Sequence, residues 1–115
     1  MLEVDLTKSA ETLLQKLYSA HVQRMDDGAD YDRAVYFGSA KSINKAFVPD
    51  WKISAVIAAC WTLYDAGMLD FLPLDGQPDE IVLTDRAIIY GEQAGDRKKE
   101  KARDTISWLR GLLPF

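Results

Sequence analysis

Apolar residues near the start of the chain recur at intervals of three and four, the spacing of one face of an α-helix. Thr7 stands just before this pattern and belongs to the residue types that cap helix N-termini. Gly28 follows the pattern and suits the left-handed conformation that ends many helices. We therefore predict a first helix between these two residues. Its apolar stripe is Ala10, Leu13, Leu14, Leu17, Tyr18, His21, Val22 and Met25.

The following run, "DDGADYDRAVYFGSAKSINKAF", predicts a linker and two short helical pieces. Asp30 is expected to cap the first piece, which breaks near Gly38, and Ser39 is expected to begin the second. The residues of this run expected in the core are Val35, Phe37, Ile43 and Phe47.

A third helix is predicted after "VPDW", with Asp50 as its cap and Gly67 as its end. One face of this helix is apolar, which is typical of a helix packed on a core. The stripe consists of Ile53, Val56, Ile57, Cys60, Leu63 and Tyr64.

Two short apolar runs, "MLDFLPL" and "EIVLT", then flank "DGQPD" and predict an antiparallel hairpin with a five-residue loop. Thr84 is expected to cap a short helix that extends to about Gln93. The run "AGD" breaks the chain before a final helix, predicted from about Arg97 to Leu113. The narrow apolar stripe of this last helix is Ala102, Ile106, Leu109 and Leu113.

The length of 115 residues suits one domain, residues 1–115, with residues 97–113 as an appended C-terminal helix. A hydrophobic fraction of 48% and a charged fraction of 28% are ordinary for a soluble globular protein. The N-terminal run lacks the pattern of a secretory signal, so we expect a cytoplasmic protein. Cys60 lies among apolar residues and is interpreted as a small buried side chain.

The order of three helices, a two-stranded hairpin and a further helix resembles the winged helix-turn-helix family. The residues that carry the resemblance are "LYDAGMLDF", at the end of the third helix, and "IVLTDRAIIY", where a hairpin strand runs into a Leu-Thr cap. The chain is also similar to small uncharacterised winged-helix proteins of Gram-positive bacteria and their phages. The resemblance implies a mostly α fold with a small β-hairpin: a three-helix core, a two-stranded wing and an appended C-terminal helix.

The face of the third helix opposite the apolar stripe carries small residues, one tryptophan and, at its end, Asp65. It lacks the Arg, Lys, Asn and Gln side chains that most often read base edges, and only Lys52, at the helix start, is basic. Such a face can pack against another protein, can be covered by the C-terminal helix of the same chain, or can face DNA. The candidate interface residues are Ala55, Ala58, Trp61 and Thr62, with Trp108, Leu112 and Phe115 from the C-terminal run.

Charge is distributed unevenly along the chain, whose formal net charge is −4. The hairpin contributes Asp70, Asp75, Asp79 and Glu80 without a basic residue, and this surface would repel a phosphate backbone. The basic residues gather elsewhere. The candidate nucleic-acid contacts are Lys41, Lys45, Lys52, Arg97, Lys98, Lys99, Lys101 and Arg103.

The sequence contains no Gly-rich phosphate loop, nucleophile elbow or paired-histidine motif, and we expect no catalysis, no metal and no cofactor. Two functions remain open. The first is a non-enzymatic protein-interaction module, which we favour as a homodimer. The second is a DNA-binding transcriptional regulator that uses the basic residues of the second and C-terminal helices.

Overall fold

The computed structural model describes residues 6–93, which form five helices and one three-stranded antiparallel sheet. The sheet has the order β1-β3-β2, so β3 lies in the middle. Along the chain the elements are α1 (Lys8–Asp26), α2 (Tyr31–Ala34), β1 (Tyr36–Gly38), α3 (Ala40–Phe47), α4 (Ile53–Asp65), β2 (Leu69–Leu74), β3 (Gln77–Leu83) and α5 (residues 85–93). The predicted final helix, residues 97–113, lies outside the described residues.

Four helices begin at the caps that the sequence predicted, but Asp30, the N-cap of α2, makes no side-chain capping bond. The hydroxyl of Thr7 accepts a hydrogen bond from the Ala10 amide at 3.2 Å, and Ser39 caps α3 in the same way. Thr84 caps α5, because its Oγ1 accepts from the Ala87 amide at 3.2 Å. The same oxygen donates to the carbonyl of Gly67 at 2.6 Å, so one side chain ties the start of α5 to the end of α4.

The predicted cap of α4 is wrong: Lys52, not Asp50, is the N-cap, and it makes no side-chain capping bond. The chain first makes a turn, in which the amide of Trp51 donates to the carbonyl of Val48 at 3.0 Å. Asn44, on α3, fixes that turn by donating to the carbonyls of Val48 at 2.8 Å and Trp51 at 3.0 Å. A side chain outside the turn therefore sets where α4 begins.

The predicted glycine ends of α1 and α4 are confirmed. Gly28 and Gly67 have φ values of 88° and 78°, which a glycine adopts without steric cost. At the end of α4, the amide of Gly67 donates to the Tyr64 carbonyl at 3.0 Å, and the amide of Met68 donates to the Leu63 carbonyl at 2.8 Å. These two bonds form a Schellman motif, and they turn the chain directly from α4 into β2.

The predicted hairpin is confirmed, but its loop has two residues rather than five. Leu74 pairs with Gln77, and only Asp75 and Gly76 connect the strands. Both residues have positive φ, 52° and 76°. An Asp-Gly pair with two positive φ angles is a type I′ turn, whose twist matches that of the strands it joins. The rest of "DGQPD" therefore continues as strand.

The prediction of a helical piece up to Gly38 is also wrong in part. Helix α2 ends at Ala34, and β1 follows and pairs with β3, with Tyr36 opposite Val82. The guanidinium of Arg24, from α1, donates to the carbonyl of Tyr36 at 2.7 Å and lies 4.5 Å from the centre of the Phe37 ring. An arginine distant in sequence thus supports this short strand.

The described helices and strands share a hydrophobic core. Two predicted stripes extend less far than expected: Val22 and Met25 are exposed on α1, and Ile53 and Tyr64 are exposed on α4, where Ala59 is buried instead. The expected core residues of the 26–47 run are buried, or half-buried in the case of Phe47. The largest fully buried side chains include Leu13, Leu14, Leu17, Ile43, Val56, Leu63, Met68, Leu69 and Ile81.

Candidate functional site

The outward face of α4 carries the described part of the predicted protein interface. Ala55 and Ala58 are exposed, and Trp61 and Thr62 are half-buried. The hydroxyl of Thr62 donates to the carbonyl of Ala58 at 3.0 Å, so its donor is already satisfied within the helix. Helical spacing places these residues on adjoining positions of one surface. We call this surface, residues Ala55, Ala58, Trp61 and Thr62, the α4 face.

Trp61 is held in place by two other aromatic residues. Its ring centre lies 5.7 Å from that of Tyr64 and 5.0 Å from that of Phe71, with the rings steeply inclined in both pairs. The rings of Tyr64 and Phe71 are 4.7 Å apart. Edge-to-face pairs are favourable arrangements of aromatic rings. Because Phe71 belongs to β2, this cluster also joins the α4 face to the hairpin.

The sequence did not predict this aromatic cluster. The sequence predicts Tyr64 in the apolar stripe of the helix, but its side chain is 41% exposed and packs against Phe71. Phe71 itself is buried. The alternation of "LDFLPL" was the available signal, because it puts Phe71 and Leu69 on one side of a strand.

The remaining predicted interface residues, Trp108, Leu112 and Phe115, lie outside the described residues. So do five of the predicted nucleic-acid contacts, which are Arg97, Lys98, Lys99, Lys101 and Arg103.

Lys41, Lys45 and Lys52 are all exposed. The first two are one helical turn apart on α3 and so lie on the same side of that helix. Lys52 stands at the N-cap of α4. The structure therefore places three cations on the two consecutive helices α3 and α4, outside the four residues of the α4 face.

The acidic residues of the hairpin are accessible, as Asp70, Asp75 and Glu80 are exposed and Asp79 is half-buried. Glu80 has a φ of 53°, and its amide donates to the Asp79 carboxylate at 2.8 Å. A hydrogen bond with the Glu80 carboxylate raises the pKa of the Tyr36 hydroxyl, and burial and the nearby negative charges act in the same direction. The pairing of β2 with β3 shifts here, between Asp70 and Leu72, so Glu80 occupies a bulge.

Two titratable side chains, Cys60 and His21, are buried in the core among the described residues. Cys60 is buried, and desolvation raises the pKa of its thiol to about 12, which leaves it protonated and unreactive at neutral pH. His21 is buried beside the rings of Tyr18 and Tyr31, and its Nδ1 has no hydrogen-bond partner among residues 6–93. Within residues 6–93 no group of three or more His, Cys, Asp or Glu side chains is arranged to hold a metal ion.

No protein-family model, curated protein or solved structure matches the chain. Among the helices of residues 6–93, none combines the length and the apolar character needed to cross a membrane.

Proposed function

We propose that this chain is a non-enzymatic winged-helix protein whose α4 face binds another protein surface, with a second copy of the chain as the partner. The winged-helix assignment is supported by the element order α1, β1, α3, α4, β2, β3 and by the pairing of β1 with β3 beside the hairpin. In that arrangement α3 and α4 correspond to the two helices of a helix-turn-helix, and β2 and β3 correspond to the wing.

The observation that carries the proposal is the chemistry of the α4 face. Its side chains are small and uncharged around one tryptophan, which allows close approach of a partner backbone and desolvates no charge. Trp61 is already fixed by Tyr64 and Phe71, so binding would cost little side-chain entropy at this residue. Tryptophan is also among the residues that most often dominate binding energy at interfaces.

A second copy is the partner that we propose because a two-fold axis brings the same surface to itself. Such an interface is self-complementary, and any favourable contact occurs twice. Two small-residue faces can approach closely, and each copy contributes one aromatic side chain. The four side chains of the α4 face are uncharged, which is important here, since like charges would otherwise oppose each other across the axis. Asp65 lies one helical turn beyond Trp61, at the edge of this face.

The test is Ala58→Glu, which adds length and charge to the centre of the α4 face at an exposed position. We expect full-length protein to be dimeric at high micromolar concentration in analytical ultracentrifugation. The substitution should weaken association by at least roughly tenfold, because each partner would bury an unpaired carboxylate. Glutamate is a good helix former, so the fold should be retained.

Gln15→Glu is the matched control, as it adds the same charge at an exposed position of α1. It should leave the dimer intact. A parent protein that stays monomeric at these concentrations would contradict the proposal, and so would an Ala58→Glu variant that associates as strongly as the parent.

The alternative is a DNA-binding transcriptional regulator, and one observation favours it. Lys41, Lys45 and Lys52 are exposed on α3 and at the start of α4. Exposed lysines on such a helix pair can neutralise phosphates, and the basic residues of the 97–103 cluster would add to them. Two features oppose this alternative. The α4 face lacks the Arg, Lys, Asn and Gln side chains that most often read base edges, and the hairpin is acidic.

Polarisation titrations with random and selected duplex DNA test this alternative. We expect only non-specific binding, with a Kd of roughly 10⁻⁴ to 10⁻⁶ M at physiological salt. Sub-micromolar binding with a steep salt dependence would favour the regulator if Lys41→Ala, Lys45→Ala and Lys52→Ala together abolished it. The charge-matched control replaces Lys8, Lys16 and Arg33, which are exposed on α1 and α2.

A further inference from the structure

The hairpin exposes two leucines, Leu72 and Leu74, that do not pack in the hydrophobic core. Leu72 and Leu74 are 61% and 54% exposed, the highest values among the exposed large apolar side chains of the described residues. They alternate along β2 and so point to the same side of the sheet. Their cross-strand partners are Asp79 and Gln77. We call the surface of Leu72, Leu74, Gln77 and Asp79 the leucine face.

The hairpin carries negative charge beside the leucine face and has no basic residue of its own. Asp70 precedes Leu72 by two residues on the same strand and therefore shares its side, and Asp75 is in the turn. Residues 69–83 contain four acidic side chains and no basic one. Exposed apolar side chains within an acidic rim fit a segment that is both apolar and basic.

Backbone geometry indicates how such a segment would bind. Strand β2 is at the edge of the sheet, where an added strand could in principle pair. Pro73 lies between the two leucines and has no amide hydrogen to offer to such a strand. A ligand of the leucine face is therefore expected to bind through side chains, as an amphipathic helix does in an apolar groove.

We propose that the ligand of the leucine face is the C-terminal segment of the same chain, residues 97–115. Its first seven residues, "RKKEKAR", contain five cations and one acid, which balances the charge of the hairpin. Its remainder contains Ile106, Trp108, Leu109, Leu112, Leu113 and Phe115. This placement differs from the α4 face, beside which α4 itself contributes one carboxylate, Asp65, and it does not depend on the proposed dimer.

The distances along the chain allow this contact. Helix α5 follows the hairpin directly through Thr84, and its nine described residues, 85–93, extend for about 13 Å. The hairpin is about 20 Å long at the usual rise of a six-residue strand such as β2. Residues 94–115 would extend for about 33 Å at the rise of an α-helix, which is longer than α5 and longer than the hairpin. The segment can therefore reach back from the end of α5 to the leucine face. A tethered ligand within reach binds at a high effective concentration, which favours the same chain over a second copy.

Hydrogen exchange of the full-length protein, measured by mass spectrometry, tests the proposal. We expect protected amides within residues 105–113. The double variant Leu72→Ser and Leu74→Ser should lower that protection by roughly tenfold or more, because two apolar contacts are lost. Both positions are exposed, so the core should remain folded. Asp70→Asn with Asp75→Asn should also lower the protection, and asparagine is accepted by the type I′ turn.

The matched control is Val22→Ser with Ile89→Ser, which removes two exposed apolar side chains from α1 and α5. It should leave the protection unchanged. The proposal is overturned if residues 105–113 exchange freely in the parent, if the control has the same effect as the leucine variant, or if protection falls on dilution. The last outcome would mean that the segment binds a second copy.

Ultracentrifugation of the leucine variant separates the two proposals, because a dimer formed by the α4 face should persist in this variant.

Discussion

Replacing Leu63 with alanine should lower the free energy of unfolding by about 2–5 kcal/mol, the largest loss that we expect from a single substitution in α4. The side chain is fully buried in the core, and its removal leaves a cavity whose walls can relax only in part. Urea unfolding followed by circular dichroism measures the change.

Ile53→Ala is the matched control, because the sequence placed both residues in the same apolar stripe. Ile53 is 37% exposed at the start of α4, so its truncation should cost less than about 1 kcal/mol. Equal losses for the two variants would contradict the orientation of α4 described above.

Gly91→Ala should lower the free energy of unfolding by about 1–3 kcal/mol, although alanine is the better helix former. A Cβ atom at this position would lie 2.5 Å from Cγ and Cδ1 of Tyr18, and these atoms belong to the body of the ring. Helix α5 would have to move away from α1. Helix propensity alone would instead raise stability by about 1 kcal/mol, so the two effects predict opposite signs. Thermal unfolding of the full-length protein distinguishes them.

Glu92→Ala is the control for Gly91→Ala, since the neighbouring side chain is exposed and its loss should change little. A double-mutant cycle with Tyr18→Leu adds a second check. Removal of the ring should make alanine at position 91 less costly, and the effects of the two substitutions should therefore not be additive. A Gly91→Ala variant more stable than the parent would show that α5 does not pack on α1 in this way.

Prediction of the candidate site from the sequence was only partly successful. Helical spacing was enough to place Ala55 and Ala58 together, and the structure exposes both. The aromatic support of Trp61 was not predictable, because Phe71 reaches it from a strand that follows the helix. The leucine face was hidden for a related reason: alternation along β2 indicates two sides but does not indicate which of them the core covers.

The sequence by itself determined the features that depend on neighbouring residues. Thr7, Ser39 and Thr84 cap helices through bonds to amides three residues ahead, and Asp75 and Gly76 favour a turn that needs positive φ at both positions. These interactions are complete within about one turn of chain, so a sequence read locally already contains them.

Only the tertiary structure decided the features that depend on distant partners. Strand β1 has three residues, too few for a clear alternating pattern, and it exists because β3 and Arg24 satisfy its backbone. Strand β3 follows β1 by about 40 residues, and no local pattern indicates that pairing. The rotation of α4, which buries Ala59 and exposes Ile53, depends on all the elements packed against that helix at once. A stripe of apolar residues defines a helix face only broadly, and the packing of its neighbours selects which residues lose their contact with water.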